Sequence, residues 1–234
     1  MVSNDVAALA VGEACEALLL TAKARVIAPL VVWRRGMDDF LLLTEPELGE
    51  RVLAELMRFR FAAKAEIELE SHTSTVVFED AAGIPNREYG QPAVELLDAE
   101  PEGEPMPQEE LERMRIEAGT PRWGHEIDER ILPAEAGLDE THISFSKGCY
   151  PGQEPIARQH YRGKVNRRLS ILEIEGEATP GTELIHEGKV VGRLTSVQAG
   201  LALGYVRTDV PAEAQLDLAA KAGFARLRLP TPEE

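Results

Sequence analysis

The sequence predicts an α+β fold, with antiparallel sheets covered by helices and a small all-β domain after them. Three observations carry this prediction. Short apolar runs rich in β-branched residues follow one another between residues 14 and 43. Two segments, 44–57 and 108–118, carry helix-start signals, the first with helical spacing of apolar residues and the second with a glycine past its end. From Leu169 to Leu229, short apolar runs alternate with turns such as Glu187-Gly188-Lys189 and Thr208-Asp209-Val210-Pro211.

Taken in order, Ala17-Leu18-Leu19-Leu20 and the run Val26 to Trp33 read as strands with a tight link, and Phe40-Leu41-Leu42-Leu43 reads as a third. Three strands joined by short connections predict an antiparallel meander. Thr44-Glu45-Pro46-Glu47 is a capping-box pattern, after which Leu48, Val52, Leu53, Leu56 and Met57 share one face of a helix. Ala65, Ile67 and Leu69 alternate with glutamates, predicting a half-buried strand, and Thr75-Val76-Val77-Phe78 predicts another. Pro101 to Pro107 is a loop by composition. Gln108 to Ala118 reads as a helix with acids in its first turn and Gly119 just beyond it. A boundary near Lys164 divides the chain into 1–163 and 164–234.

A net charge of −16 argues against a direct grip on nucleic acid, which rests on cations that neutralise phosphates, and against anionic membrane surfaces. There is no basic leader with a long apolar core and no apolar run of ~20 residues, so a cytoplasmic protein is expected. Of the two cysteines, Cys15 lies in an apolar stretch and reads as a small core residue. With Cys149 it forms no Cys-x-x-Cys pair, the five histidines are scattered, and no metal site is expected.

Lys147-Gly148-Cys149-Tyr150-Pro151-Gly152-Gln153-Glu154 is the densest group of chemically capable residues, with Arg158 four positions further on. For Cys149 the residues leave two readings open. It is either a buried turn cysteine or a thiol whose anion is favoured by Lys147 and by open backbone N–H groups. Arg115 to Asp128 places carboxylates, a Trp and glycines at a helix end, which is either a capped terminus or a carboxylate set to hold a heterocycle. Arg158, Arg162, Lys164, Arg167 and Arg168 form a basic island that either balances the acidic surface or docks a polyanion or acidic partner.

The octapeptide Lys147 to Glu154 resembles the signature of the YgfZ-type, folate-binding branch of the glycine-cleavage T-protein (aminomethyltransferase) superfamily. Arg115 to Gly137 resembles the superfamily's arginine–x–glutamate–x–glycine region, and Asn4-Asp5-Val6 with the strands to Leu43 resembles its N-terminal domain. The resemblance implies a T-protein-like folate-binding domain followed by a small C-terminal β-barrel, with tetrahydrofolate or a one-carbon derivative as cofactor. It also implies support of iron–sulfur cluster assembly or repair in client enzymes, including a tRNA-modifying radical-SAM enzyme. Iron–sulfur enzymes or cluster carrier proteins are then the partners, and a monomer is expected.

By the same resemblance Cys149 is the functional thiol, near the folate site and accompanied by Lys147, while Glu117, Glu126, Gln153, Glu154 and Arg158 hold the cofactor. Pro29 stands where T-proteins carry a catalytic aspartate and cannot take a proton, so aminomethyl transfer is expected to be lost. Thr44 stands in place of a folate-contacting asparagine. The alternatives are a folate-dependent aminomethyl- or methyltransferase and a pure binding module. The family usually has a strand and helix before the segment matching Met1 to Val6, so one sheet edge is expected to be exposed.

Overall fold

The computed structural model describes residues 1–60, 64–78, 81–100, 103–219 and 222–228. The predicted loop at 101–107 begins outside these residues, as does the end of the predicted all-β segment at Leu229. Strands β1 (Ala14–Leu20), β2 (Val26–Arg34) and β3 (Phe40–Leu43) form an antiparallel sheet in sequence order. Its apolar residues run continuously because both faces are covered. Leu18, Leu20 and Val26 enter one core cluster, and Ala17, Leu19, Leu30 and Val32 enter another.

The outer edge of β1 is not bare, contrary to expectation. The Ser3 N–H donates to the Leu18 carbonyl at 3.0 Å, the Leu18 N–H donates to Ser3 Oγ at 2.8 Å, and Asn4 Nδ2 donates to the Glu16 carbonyl at 2.7 Å. Two residues of N-terminal chain, Ser3 and Asn4, therefore satisfy strand groups that an unpaired edge would expose to other chains.

Helix α1 (Gly49–Arg58) follows a 3-10 turn at Pro46–Leu48 and packs Leu48 and Val52 under the first sheet. The capping box at Thr44 does not form. The Thr44 hydroxyl instead donates to the Pro29 carbonyl at 2.9 Å. The alternating stretch 65–70 is not a strand either; it has no partner strand, and its last acid, Glu70, is held in ion pairs instead. Glu70 receives both Arg35 terminal nitrogens at 2.8 and 2.9 Å, and His72 bridges Glu70 and Asp98. A second small antiparallel sheet is built from β4 (Ser74–Val77), β5 (Ile84–Asn86) and β6 (Ala93–Leu97), in the order β4-β6-β5.

Helix α2 (Gln108–Ala118) ends at Gly119, whose φ of 74° lets its N–H reach the Ile116 carbonyl while Thr120 N–H reaches Arg115. After α3 (Gln153–Arg162), the strands β7 (Arg167–Gly176), β8 (Glu183–His186), β9 (Lys189–Gln198), β10 (Leu201–Arg207), β11 (Gln215–Leu218) and β12 (Gly223–Leu227) close a barrel. Their order around it is β10-β7-β12-β11-β8-β9. Its interior is filled by Leu172, Leu184, Leu194, Ala202, Leu216 and Ala225. Register shifts in β8 and β10 supply the local bending that closure needs. Ile116 of α2 packs outside the barrel against Leu201 and Leu203, and Tyr205 of β10 enters the core of the first domain. Among the described residues, no helix is long and apolar enough to cross a membrane.

Candidate functional site

The motif loop is held from both ends. Tyr150 is buried in the first-domain core, and Gly152 opens α3 with φ 84°. A Cβ at Gly152 would lie 2.6 Å from the Thr21 carbonyl oxygen and 3.1 Å from Ala24 Cα, so glycine is needed both for the dihedral and for the approach to the β1–β2 turn. Just ahead of these anchors Cys149 is exposed and unpaired. The residues thus leave it as a presented thiol rather than a buried turn cysteine. Cys15, by contrast, is half-buried in β1, where burial and then Glu16 push its thiol up from the ordinary cysteine value.

Lys147 does not attend Cys149. Its Nζ donates to the Val2 and Asn4 carbonyls at 2.8 and 2.9 Å and lies 5.7 Å from the centre of the Tyr150 ring. Burial lowers its pKa, opposed by Asp5 and Cys15. The lysine's role in the fold is to pin the N-terminal segment, and the expectation that it favours a Cys149 thiolate is corrected on that ground. Gln153 is half-buried at the first position of α3, while Glu154 and Arg158 are exposed one turn apart on its outer side.

The acidic residues assigned to the cofactor divide sharply. Glu126 is buried with both carboxylate oxygens occupied. One accepts from Arg115 Nη1 and from the Arg122 N–H, each at 3.0 Å, and the other accepts from Ser196 Oγ at 2.6 Å. Arg115 is itself fully buried and also contacts Glu112 at 2.7 Å, Ser196 Oγ at 2.8 Å and the Thr120 carbonyl at 2.5 Å. Burial opposes the charge on Arg115, but Glu112 and Glu126 outweigh it and raise its pKa above the ordinary arginine value. The Tyr205 hydroxyl donates to the Glu126 carbonyl at 3.0 Å, and burial raises its pKa. This network ties α2 and its following loop to barrel strands β9 and β10, so Glu126 has no free oxygen for a ligand.

Glu117, two residues beyond Arg115, points the other way. It is exposed and receives Arg228 Nη1 at 3.1 Å across a cleft of about 390 Å³ between α2 and the barrel wall. Arg113 shares the α2 side of this cleft. Ile174, Leu201 and Phe224 give apolar surface, and Glu173, Glu175, Arg226 and Arg228 give charge. Arg226 lies over the Phe224 ring at 4.7 Å. None of the motif residues 147–154 lines the cleft, so the thiol and the cleft are separate features, not one site as the sequence suggested. Arg228 and Ser196 were missed in the sequence. Both act across more than 80 residues of chain, and no local pattern marks such a partner.

Pro29 and Thr44, the two positions where T-protein residues are replaced, touch one another through the Thr44 hydroxyl. Pro29 sits opposite Leu18, beyond the stretch of β2 that pairs with β3, so its missing N–H breaks no ladder bond on that side. Beside them Glu45 is half-buried, and burial followed by Glu47 raises its carboxyl above the usual range. Among the described residues, no group of three or more His, Cys, Asp or Glu side chains is placed to hold a metal ion.

The sheet-and-helix region followed by a closed six-stranded barrel has the fold of a solved aminomethyltransferase. The glycine cleavage system aminomethyltransferase T from Bartonella henselae superimposes with a TM-score of 0.78 over 96% of this chain and 76% of its own, at 16% identity. Residues 166–233 match the family described as CAF17, C-terminal beta-barrel domain. A putative transferase of Arabidopsis thaliana, described as chloroplastic, is 37% identical over 109 residues, covering 44% of this chain and 25% of its own. An aminomethyltransferase of Rippkaea orientalis is 37% identical over 101 residues, covering 40% and 27%. The chain is thus homologous to aminomethyltransferases over part of its length, and spans about a quarter of the curated relatives it matches.

Proposed function

We propose that this protein binds tetrahydrofolate in the cleft between α2 and the barrel and acts as an accessory factor for iron–sulfur cluster assembly or repair, with Cys149 as its working thiol. The observation that carries the folate reading is the cleft itself. Its volume of about 390 Å³ suits a drug-sized ligand, and its wall offers three exposed carboxylates, Glu117, Glu173 and Glu175, of which Glu117 is oriented by Arg228 and Glu175 by Arg226. Glu117 can accept two adjacent N–H groups from a pterin ring, Phe224 and Ile174 can cover its faces, and Arg113 and Arg226 can meet the carboxylates of the glutamate tail. Tetrahydrofolate, when bound, supplies a carrier for one-carbon units. The homology to aminomethyltransferases and the CAF17 barrel match support a folate-related role.

Cys149 is exposed on a braced loop, and thiolates are natural ligands of iron–sulfur clusters. A cluster passing through this thiol draws its other ligands from the client enzyme or carrier. Because the thiol stands outside the cleft, folate and cluster act at separate places on the molecule in this reading. Aminomethyl transfer is the other reading, favoured by the names of the relatives. Pro29 offers neither proton acceptor nor charge where that reaction needs one, and assays with an aminomethyl donor and tetrahydrofolate should detect no turnover.

The deciding measurement is calorimetric titration of tetrahydrofolate into wild type and Glu117→Gln. The isosteric change should weaken binding by about 1.5–3 kcal/mol, the usual value of a hydrogen bond to a charged group. Equal affinity in both proteins would move the ligand out of this cleft.

A further inference from the structure

The stretch from Pro155 to Leu172 contains five basic residues and no acidic one, in a chain with 41 Asp and Glu. Arg167 is used internally, paired with Glu135 and stacked over Tyr205. Arg158, Arg162, Lys164 and Arg168 are exposed, and among the described residues none of them has a carboxylate partner. Arg158, Tyr161 and Arg162 fall at positions i, i+3 and i+4 of α3, on one face, while Ile156 is buried in the core.

Tyr161 is 71% exposed, yet its ring is not loose. Phe145, which packs on the first-domain core, stacks on His160 at 4.0 Å and 27°, and His160 meets Tyr161 edge-on at 4.9 Å. A large aromatic braced in this way loses little freedom on contact, and Tyr and Arg are the residue types that dominate binding energy at protein interfaces.

We propose that the outer face of α3, continued through residues 163–168, docks the carboxylate-rich face of a partner protein. Charge complementarity selects the occupant. The four unpaired cations sit in a molecule of net charge −16, which repels the dense charge of a nucleic acid. One exposed aromatic also gives a single stacking platform, whereas strand-binding surfaces use several. An acidic protein face carries fewer, spaced charges and can set an apolar side chain on Tyr161. This surface stands independently of the folate cleft and of the chemistry of Cys149.

The test uses a fluorescein-labelled peptide of alternating Glu and Leu as the acidic probe and a labelled oligouridine as its rival, with the full chain. Wild type should bind the peptide with an affinity that falls as salt rises from about 50 to 300 mM. The double variant Arg158→Glu with Arg162→Glu should lose about tenfold or more, and Tyr161→Ala about threefold or more. Lys189→Glu, a charge reversal on the barrel, should leave binding unchanged, and circular dichroism should be the same for all four proteins. Unaltered peptide affinity in the double variant would overturn the proposal. So would tighter binding of oligouridine through the same arginines, which would make this a nucleic-acid surface.

Discussion

Arg115 and Glu126 are opposite charges with fully buried side chains, and their energetics follow from that burial. Their attraction does little more than offset the loss of water around each, but removing one leaves the other charged and unpaired in a dry place. Arg115→Met should therefore destabilise the protein by about 3–5 kcal/mol in urea unfolding monitored by far-ultraviolet circular dichroism. Gly152 is limited by sterics instead. Gly152→Ala must place a methyl against the Thr21 carbonyl in a left-handed conformation, and should cost about 1–3 kcal/mol in the same assay. His142 carries the clearest acid dependence. Burial pushes its imidazole down to about 4, so from roughly pH 6.5 to pH 4 the unfolded chain binds a proton that the folded one refuses. Stability is full above that window and falls as pH drops through it. His142→Asn should flatten that part of the stability profile.

At the scale of elements, the reading of the sequence succeeded where a pattern is local. The meander β1–β3 shows in its apolar runs and short links. Helix α2 shows in its first-turn acids and Gly119, because each signal concerns groups within one turn of each other. It failed where a tertiary partner competes. Thr44 has the right spacing for a cap, but Pro29 offers a carbonyl that its hydroxyl takes instead. The alternation at 65–70 promises a strand, yet Arg35 and His72 claim Glu70. Lys147 is the same lesson in the motif itself, since its neighbour in sequence is Cys149 but its partners are Val2 and Asn4. Lys147→Met should free that N-terminal segment. The amides of Ser3 and Leu18 should then exchange faster in hydrogen-exchange mass spectrometry, while barrel amides such as those of β9 stay protected.

Across the whole molecule, the sequence carries the α+β region and the all-β segment after it, because hydrophobic period and turn spacing report on architecture directly. It does not carry how the two are joined. That joint consists of Tyr205, Ser196, Arg115 and Glu126, drawn from positions too far apart for any window to connect. The joint should also make the regions unfold together. Ser196→Ala, a change in the barrel, should lower the urea midpoint reported by Trp33 and Trp123 fluorescence in the first region. That midpoint should also stay coincident with circular dichroism, which reports on the entire chain.

Helix α2 carries two duties on neighbouring faces. Arg115 and Ile116 face inward and fasten the molecule, while Arg113 and Glu117 face the cleft. Arg113 and Glu117 are exposed and make no contact in the buried network, so changing the preference of the cleft for one small molecule over another should cost little stability. A collection of variants at Arg113, Glu117, Arg226 and Arg228 should consist mostly of folded proteins with altered ligand choice, which makes this helix a natural starting place for redesign.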